Sequence, residues 1–234
     1  MKRTPWQAVF DGDLIPVEVA SQLPVAKYGD EAFDAVSKAG KYLPRIQLMT
    51  ANADKCKSGD FPINHYALVA GKNFEDLGTE VDVAVLAFRP KALEIGEQII
   101  NIFDPQPDAA GNATGEFKRI ADASSVKNSG CMFGPEFLLW VPAIKQFATF
   151  FMGSISARNE SPSVKAKIGK AATLRSQKIE TRQYTWFAPQ CIKCSTPFDM
   201  PENAALIDEM TKFNNPPVQE IETVDESETT SRER

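Results

Sequence analysis

The residues with the clearest chemical potential lie in one short stretch, 178–194, which reads KIETRQYTWFAPQCIKC. It brings together cations, aromatic rings and a Cys-x-x-Cys pair. If the stretch is a single strand, alternate side chains share a face, and one face carries Lys178, Arg182, Tyr184 and Trp186. Cations that follow phosphates beside rings that stack on bases are the two parts of a single-stranded nucleic-acid site. The pattern therefore predicts a platform for a nucleic acid strand.

Charge is segregated around this platform. The chain has a net charge of -5, yet seven residues between 161 and 194 are basic and one is acidic, while eight residues between 202 and 228 are acidic and one is basic. Such asymmetry says more than the total. We expect the acidic segment to compete with nucleic acid for the cationic groove and to contact other proteins. The expected contact residues are Arg89, Lys91, Lys165, Lys167, Lys170, Arg175, Lys178, Arg182, Tyr184 and Trp186.

A plainer interpretation of the same residues stays open. Basic side chains on exposed strand faces are ordinary, and Tyr184 and Trp186 fit a buried position equally well. Arg89 and Lys91 follow the best predicted strand of the chain and are expected to form the other wall of the groove.

The cysteines are weak candidates for a metal site. A structural zinc ion needs four ligands, and the pair Cys191 and Cys194 is joined only by the scattered Cys56, Cys131 and His65. The preferred interpretation is two reduced thiols at a strand end, with no metal and no cofactor.

The sequence does not favour an enzyme. His65 is the only histidine, so a triad or a histidine cluster depends on it alone. The run ending in Gly169 lacks a phosphate-binding loop, because Val164 stands where the upstream glycine belongs and Ala171 where Ser or Thr belongs. Asp82 lies between valines without a second acid at suggestive spacing, which favours a hydrogen-bonded structural carboxylate.

Composition sets the class of protein. The chain has 234 residues, of which 43% are hydrophobic and 24% charged, as in ordinary globular proteins. No apolar run reaches the ~18 residues of a membrane helix, and the N-terminus, which meets Asp11 and Asp13 early, does not resemble a secretion signal. We expect a cytoplasmic protein (in the host cytoplasm if viral) that does not bind membranes.

Short apolar runs bounded by Pro, Asn, Asp and Gly predict a sheet. The best strand is EVDVAVLAF, 80–88, in which Val81, Val83 and Val85 alternate and the residues between them, past Asp82, are apolar too. We expect it to be a central strand buried on both faces.

The later part of the chain is predicted to be mixed. Between 143 and 160 apolar side chains recur at the spacing of a helix: Ile144, Phe147, Phe150, Phe151 and Ile155. Residues 161–170 predict a second short helix with Ser161 as its N-cap. Residues 171–189 are expected to run extended, and 205–213 to form a short helix before a disordered acidic tail.

These expectations give a mainly β protein with inserted helices. An N-terminal strand and short helix occupy 1–42, an antiparallel barrel of the oligonucleotide-binding kind occupies 43–200, and a short helix with the acidic tail occupies 201–234.

The charge layout and strand inventory resemble the single-stranded-DNA-binding proteins of tailed bacteriophages. The runs CMFGPEFLLWVP, FATFFMGSISAR and CSTPFDMP are also similar to phage proteins carried near replication genes. The resemblance covers residues 40–230 and implies a barrel domain, an acidic tail and a non-catalytic protein that coats single strands in DNA replication or recombination. It also implies contacts between the tail and replication proteins.

The sequence thus predicts a sequence-independent single-stranded-DNA-binding protein. One alternative is a virion structural or assembly protein that uses the sheet as a protein interface. The other is a metal-dependent nucleic-acid enzyme in which Asp82 pairs with a distant acid. Homo-oligomerisation is left open.

Overall fold

A computed structural model of the chain describes residues 43–126, 128–195, 197–216 and 219–223. The predicted strand and helix within 1–42 lie outside the described residues. The described chain has four helices: α1 (Asp54–Lys57), α2 (Gly115–Ala123), α3 (Ile155–Lys165) and α4 (Asn203–Asn214). It has ten strands: β1 (Arg45–Leu48), β2 (Tyr66–Ala70), β3 (Asn73–Gly78), β4 (Glu80–Ile95), β5 (Gln98–Ile102), β6 (Cys131–Val141), β7 (Gln146–Phe151), β8 (Lys170–Glu180), β9 (Thr185–Lys193) and β10 (Gln219–Thr223). The prediction of a mainly β protein with inserted helices is confirmed.

Strand β4 is the centre of the sheet. Its first six residues pair with β8 on one side, and from Ala84 onward it pairs with β6 on the other. Residues 83–87 are buried without interruption, so both faces of the strand are covered there. The predicted central strand is confirmed, and it continues to Ile95.

The main core lies on one face of the curved sheet. It collects side chains from β1, β2, β4, β6, β7, β8 and β9, together with Ala157 and Val164 of α3. Its largest members are the fully buried Tyr66 and Phe137. Alternate residues of these strands point to this core, which fixes their register because a shift by one residue would turn the apolar set outward.

Helices cover the other apolar surfaces. Leu206, Met210 and Phe213 of α4 pack on the outer face of β4 and β6. Helix α2 packs Phe117 and Ile120 against β5 and the far end of β4. Both helices bury an apolar stripe against the sheet, which is where most helix stability in proteins originates.

The strand order is β10-β5-β4-β6-β7-β1-β2-β3, with β8 paired to β4 and β9 to β8. The strand pairs are antiparallel, as expected, except that β1 and β7 are parallel, so the sheet is mixed. Within the described residues this hydrogen-bonded path is open at β3 and β10. The bond from Ser176 N to Thr79 O at 2.9 Å extends the β4–β8 ladder by one residue beyond Glu80 and Arg175.

The predicted helix over 143–160 is wrong in its first half. Gln146–Phe151 is strand β7, and α3 begins only at Ile155. Phe150 of β7 packs in the main core, whereas Phe147 packs beneath α4 on the opposite face of the strand. Apolar residues on both faces of a strand give a spacing that resembles that of a helix. The second predicted helix, over 161–170, is not a separate element: residues 161–165 end α3, whose N-cap is Ser154 rather than Ser161, and Pro162 lies inside that helix.

The predicted disordered tail is corrected in part. Gln219–Thr223 form β10, which pairs antiparallel with β5. The predicted short helix before it is confirmed as α4. Residues 224–234 lie outside the described residues.

Candidate nucleic-acid interface

The segment predicted to run extended from 171 to 189 is a hairpin of β8 and β9. The turn at Thr181–Tyr184 is closed by a bond from Thr181 N to Tyr184 O at 2.8 Å and by one from Tyr184 N to Thr181 Oγ1 at 3.1 Å. A threonine hydroxyl thus replaces the Gly or Asn that marks most hairpin turns. The single strand from 178 to 194 does not exist.

The hairpin register corrects the predicted platform. Directly opposite residues in an antiparallel pair share a face, and Lys178 lies opposite Phe187 whereas Trp186 lies opposite Ile179. Lys178 and Trp186 therefore face opposite sides of the hairpin.

The two predicted stacking residues differ in exposure. Tyr184, at the turn, is 70% exposed. Trp186 is half-buried, and its Nε1 donates to Ser156 Oγ of α3 at 3.1 Å. The bond fixes the indole edge, so the ring has one orientation relative to the helix.

Helix α3 is fastened to β9. Ser154 caps its start by accepting from Ala157 N at 3.2 Å, a bond that satisfies one of the unpaired amides of the first turn. Glu160 Oε1 accepts from Cys191 N at 3.0 Å, which occupies an amide on the outer edge of β9. Helix and hairpin thus form one surface.

Three predicted phosphate contacts lie where α3 leads into β8. Lys165 is exposed, with its Nζ 4.2 Å from the ring centre of Phe88, a cation–π contact. Lys170 is exposed and Lys167 half-buried. Lys165, Lys167 and Lys170 lie close together because they fall within six residues at the connection between α3 and β8.

The cations of this region are distinguished by the lack of acidic partners. Within the described part of the chain, no carboxylate oxygen lies within 4.0 Å of the side-chain nitrogens of six of them: Lys165, Lys167, Lys170, Arg175, Arg182 and Lys193. Lys178 pairs with Glu180. Basic residues elsewhere commonly have acidic partners, namely Lys55, Lys57, Arg89, Lys91, Lys118, Arg119 and Lys212.

Arg89 and Lys91 do not form a second wall of free cations. Both pair with Glu136, which lies opposite Arg89 on β6: Arg89 at 2.7 Å and Lys91 at 2.8 Å. The Arg89 guanidinium also lies between the rings of Phe103 and Phe213, 3.9 and 4.3 Å from their centres. The prediction that they frame the groove conflicts with this pairing, since Glu136 already neutralises one charge and the rings enclose Arg89.

A cleft of about 590 Å³ opens beside the base of the hairpin. Its lining includes four carboxylates, Glu75, Asp76, Glu80 and Asp82. Its apolar lining includes Leu77, Val81, Ile144 and Ile192. Arg175 lies opposite Glu80 and therefore on the face of the hairpin that borders this cleft. Arg175 is thus set apart from the lysines near α3.

Two of the carboxylates that line the cleft, those of Asp82 and Asp76, accept hydrogen bonds from other residues. Asp82 Oδ1 accepts from Thr173 Oγ1 at 2.5 Å, as expected of a structural carboxylate. Asp76 faces His65 Nδ1 at 2.9 Å and accepts from Gly78 N at 2.8 Å. Burial opposes ionisation of Asp76, but the bonds from Gly78 and His65 outweigh it and hold its pKa below the ordinary value.

The cysteines do not assemble. Among the described residues, which include all four, no group of three or more His, Cys, Asp or Glu side chains is arranged to hold a metal ion. Cys191 lies in the main core and Cys194 is also buried. Burial raises the pKa of the Cys191 thiol to about 11, and Glu160 acts in the same direction against the nearby Lys167.

Sequence reasoning missed two members of this surface. Ser156 orients Trp186, and the exposed Ile155 precedes it in the first turn of α3. Neither carries a sequence signal, because their role depends on α3 packing against β9. Lys193 was counted in the local charge but was not placed in the site.

The chain matches no family model, no curated protein and no solved structure. Within the described ranges, none of the helices has the length and apolar character needed to cross a bilayer.

Proposed function

We propose that the protein is a non-enzymatic, sequence-independent single-stranded-DNA-binding protein that protects single strands during replication or recombination. The surface that contacts DNA is the β8–β9 hairpin together with α3. Lys165, Lys167 and Lys170 contact phosphates, and the turn adds Arg182 and the ring of Tyr184.

The observation that carries the proposal is the set of unpaired cations between 161 and 194. A lysine already paired with a carboxylate has little to gain from a phosphate, since the carboxylate must first be displaced. Lysines without such partners release condensed counterions from the strand when they bind, and this release drives nucleic-acid association. Paired cations predominate elsewhere in the described chain.

An exposed ring beside these cations supplies the second requirement. Stacking on an aromatic side chain contributes about 1–3 kcal/mol per base and discriminates little among bases. Tyr184 is available without rearrangement. Trp186 presents only part of its ring and serves chiefly to fix the hairpin on α3.

We further propose that the strands around the main core form a barrel of the oligonucleotide-binding type. Two features support it. Seven strands direct side chains into one core, and the Ser176 side chain of β8 contacts that of Asn64, just before β2 at the other side of the sheet.

The test is the salt dependence of binding to a labelled oligothymidylate, measured by fluorescence anisotropy. Four phosphate contacts predict a slope of log K against log salt of about -2.8 for a single strand. A duplex of equal length is expected to bind more weakly. A flat response to salt would refute the proposal.

A matched pair of triple variants locates the surface. Replacing Lys165, Lys167 and Lys170 by glutamine is expected to reduce the slope by about 2. The control replaces three lysines that are paired with carboxylates, Lys57, Lys118 and Lys212. It changes the net charge equally and is expected to leave the slope intact. Equal losses in both variants would contradict the assignment.

A further inference from the structure

The outer half of the hairpin projects past the sheet. Strand β8 pairs with β4 only over Lys170–Arg175, whereas β8 and β9 remain paired as far as Glu180 and Thr185. Beyond Arg175 the hairpin is therefore a two-stranded ribbon. At ~3.3 Å per residue the tip lies about 23 Å beyond the start of β4.

The tip of this ribbon is exposed and chemically distinctive. Residues 180–185 are all exposed. They present the cation of Arg182, for which the described chain offers no carboxylate partner, and the ring of Tyr184. An exposed ring beside an arginine is the composition typical of the residues that anchor protein interfaces.

The cleft at the base of the same hairpin is complementary to this tip. Four carboxylates and an apolar lining meet there, and among the described residues that line the cleft Lys193 is the only cation. Glu75 and Glu80 are exposed and make no ion pair within the described residues. Burial opposes ionisation of Asp76, but the bonds from Gly78 and His65 lower its pKa and favour its charged form.

The tip cannot reach the cleft of its own molecule. The ribbon is continuously paired along its length, so it holds the tip about 23 Å from Glu80. The complementary surfaces can meet only between two copies. Because tip and cleft lie at opposite ends of one paired ribbon, two ribbons related by a two-fold axis place each tip at the other's cleft, which is an isologous contact.

We propose that the hairpin tip of one copy docks into the acidic cleft of a second copy, and reciprocally. Arg182 faces Glu75 and Glu80 of the other copy, and the Tyr184 ring covers the apolar lining of its cleft. This dimer forms without nucleic acid and is tested independently of the proposed function; because it covers Arg182 and Tyr184, a DNA strand and a second copy compete for the hairpin tip.

The test is the oligomeric state of the full chain, measured by sedimentation equilibrium without nucleic acid. The wild type is expected to dimerise, with a dissociation constant that rises with salt. Arg182→Glu and the double variant Glu75→Lys/Glu80→Lys are each expected to raise that constant at least tenfold. Arg45→Glu, which reverses an exposed charge on β1, serves as the control and is expected to leave it unchanged.

Mixing Arg182→Glu with Glu75→Lys/Glu80→Lys tests whether the tip of one copy docks into the cleft of the other. In the mixed dimer both contacts again join opposite charges, so the equimolar mixture is expected to recover the wild-type constant. Thermal unfolding of each variant confirms that it is folded before mixing. A wild type that stays monomeric at millimolar concentration, or folded variants that fail to recover on mixing, would overturn the proposal.

Discussion

Replacing Glu136 by glutamine is expected to destabilise the protein strongly. The Glu136 side chain is 3% exposed and faces two cations, Arg89 and Lys91, which are 16% and 15% exposed. Glutamine keeps the shape and one acceptor oxygen but neutralises neither cation. The substitution thus leaves two largely buried positive charges without their carboxylate.

The magnitude follows from the burial and the contacts. Breaking a buried ion pair by removing one partner costs about 3–5 kcal/mol, and a hydrogen bond to a charged group contributes about 1.5–3 kcal/mol. Both cations keep some access to water, so we expect the lower limit, about 3 kcal/mol. For a chain of this length that corresponds to a decrease in Tm of about 6–12 °C.

Urea unfolding followed by circular dichroism measures the loss, with Glu116→Gln as the control. Glu116 makes the same kind of contact, 2.7 Å to Arg119, but its side chain is 61% exposed. Such a surface pair contributes about 0–1 kcal/mol. If the two substitutions lowered the free energy of unfolding to within about 0.5 kcal/mol of each other, the buried pair would not exist in solution.

Three further changes test other parts of the fold. Tyr66→Phe removes a buried hydroxyl that has no hydrogen-bond partner, so urea unfolding should show no loss of stability; a loss above about 1 kcal/mol would reveal a partner. Gly130→Ala places a Cβ 2.3 Å from a backbone carbonyl oxygen at positive φ and should cost about 3 kcal/mol or more, whereas Gly111→Ala, also at positive φ but in open space, should cost about 1; equal costs would contradict this. A thiol reagent at pH 8 should modify Cys56 before the three buried cysteines, and simultaneous modification of two thiols would show that a second is accessible.

Local patterns predicted the strands that are covered on both faces. The valines at 81, 83 and 85, with apolar neighbours between them, identified β4 because alternation and burial act within a few residues. The same logic failed at β7, where Phe147 and Phe150 are separated by three positions and face two different cores. A helix and a doubly covered strand then present similar spacing, and only tertiary packing distinguishes them.

The candidate site depended on contacts that span long stretches of sequence. The segment ETRQY carries no glycine, proline or asparagine to mark a turn, so the hairpin that divides Lys178 from Trp186 had no clear signal. Glu136 lies 47 residues from Arg89, and nothing local reveals their pairing. Charge counts located the cationic segment, but the face that each cation occupies follows from register alone.

For the proposed function, the register bears on how a chain with a net charge of -5 would attract a polyanion. At physiological salt, charges more than about 8 Å apart on the surface are largely screened from each other, so a phosphate near Lys170 responds to the lysines around it rather than to the total. The carboxylates of the cleft gather beside Arg175 at the base of the hairpin, opposite to Lys178 by strand parity. Lys170 also lies on the opposite face of β8 from Arg175 by strand parity, so in the proposed function a strand along Lys165, Lys167 and Lys170 leaves the cleft available for another cationic surface.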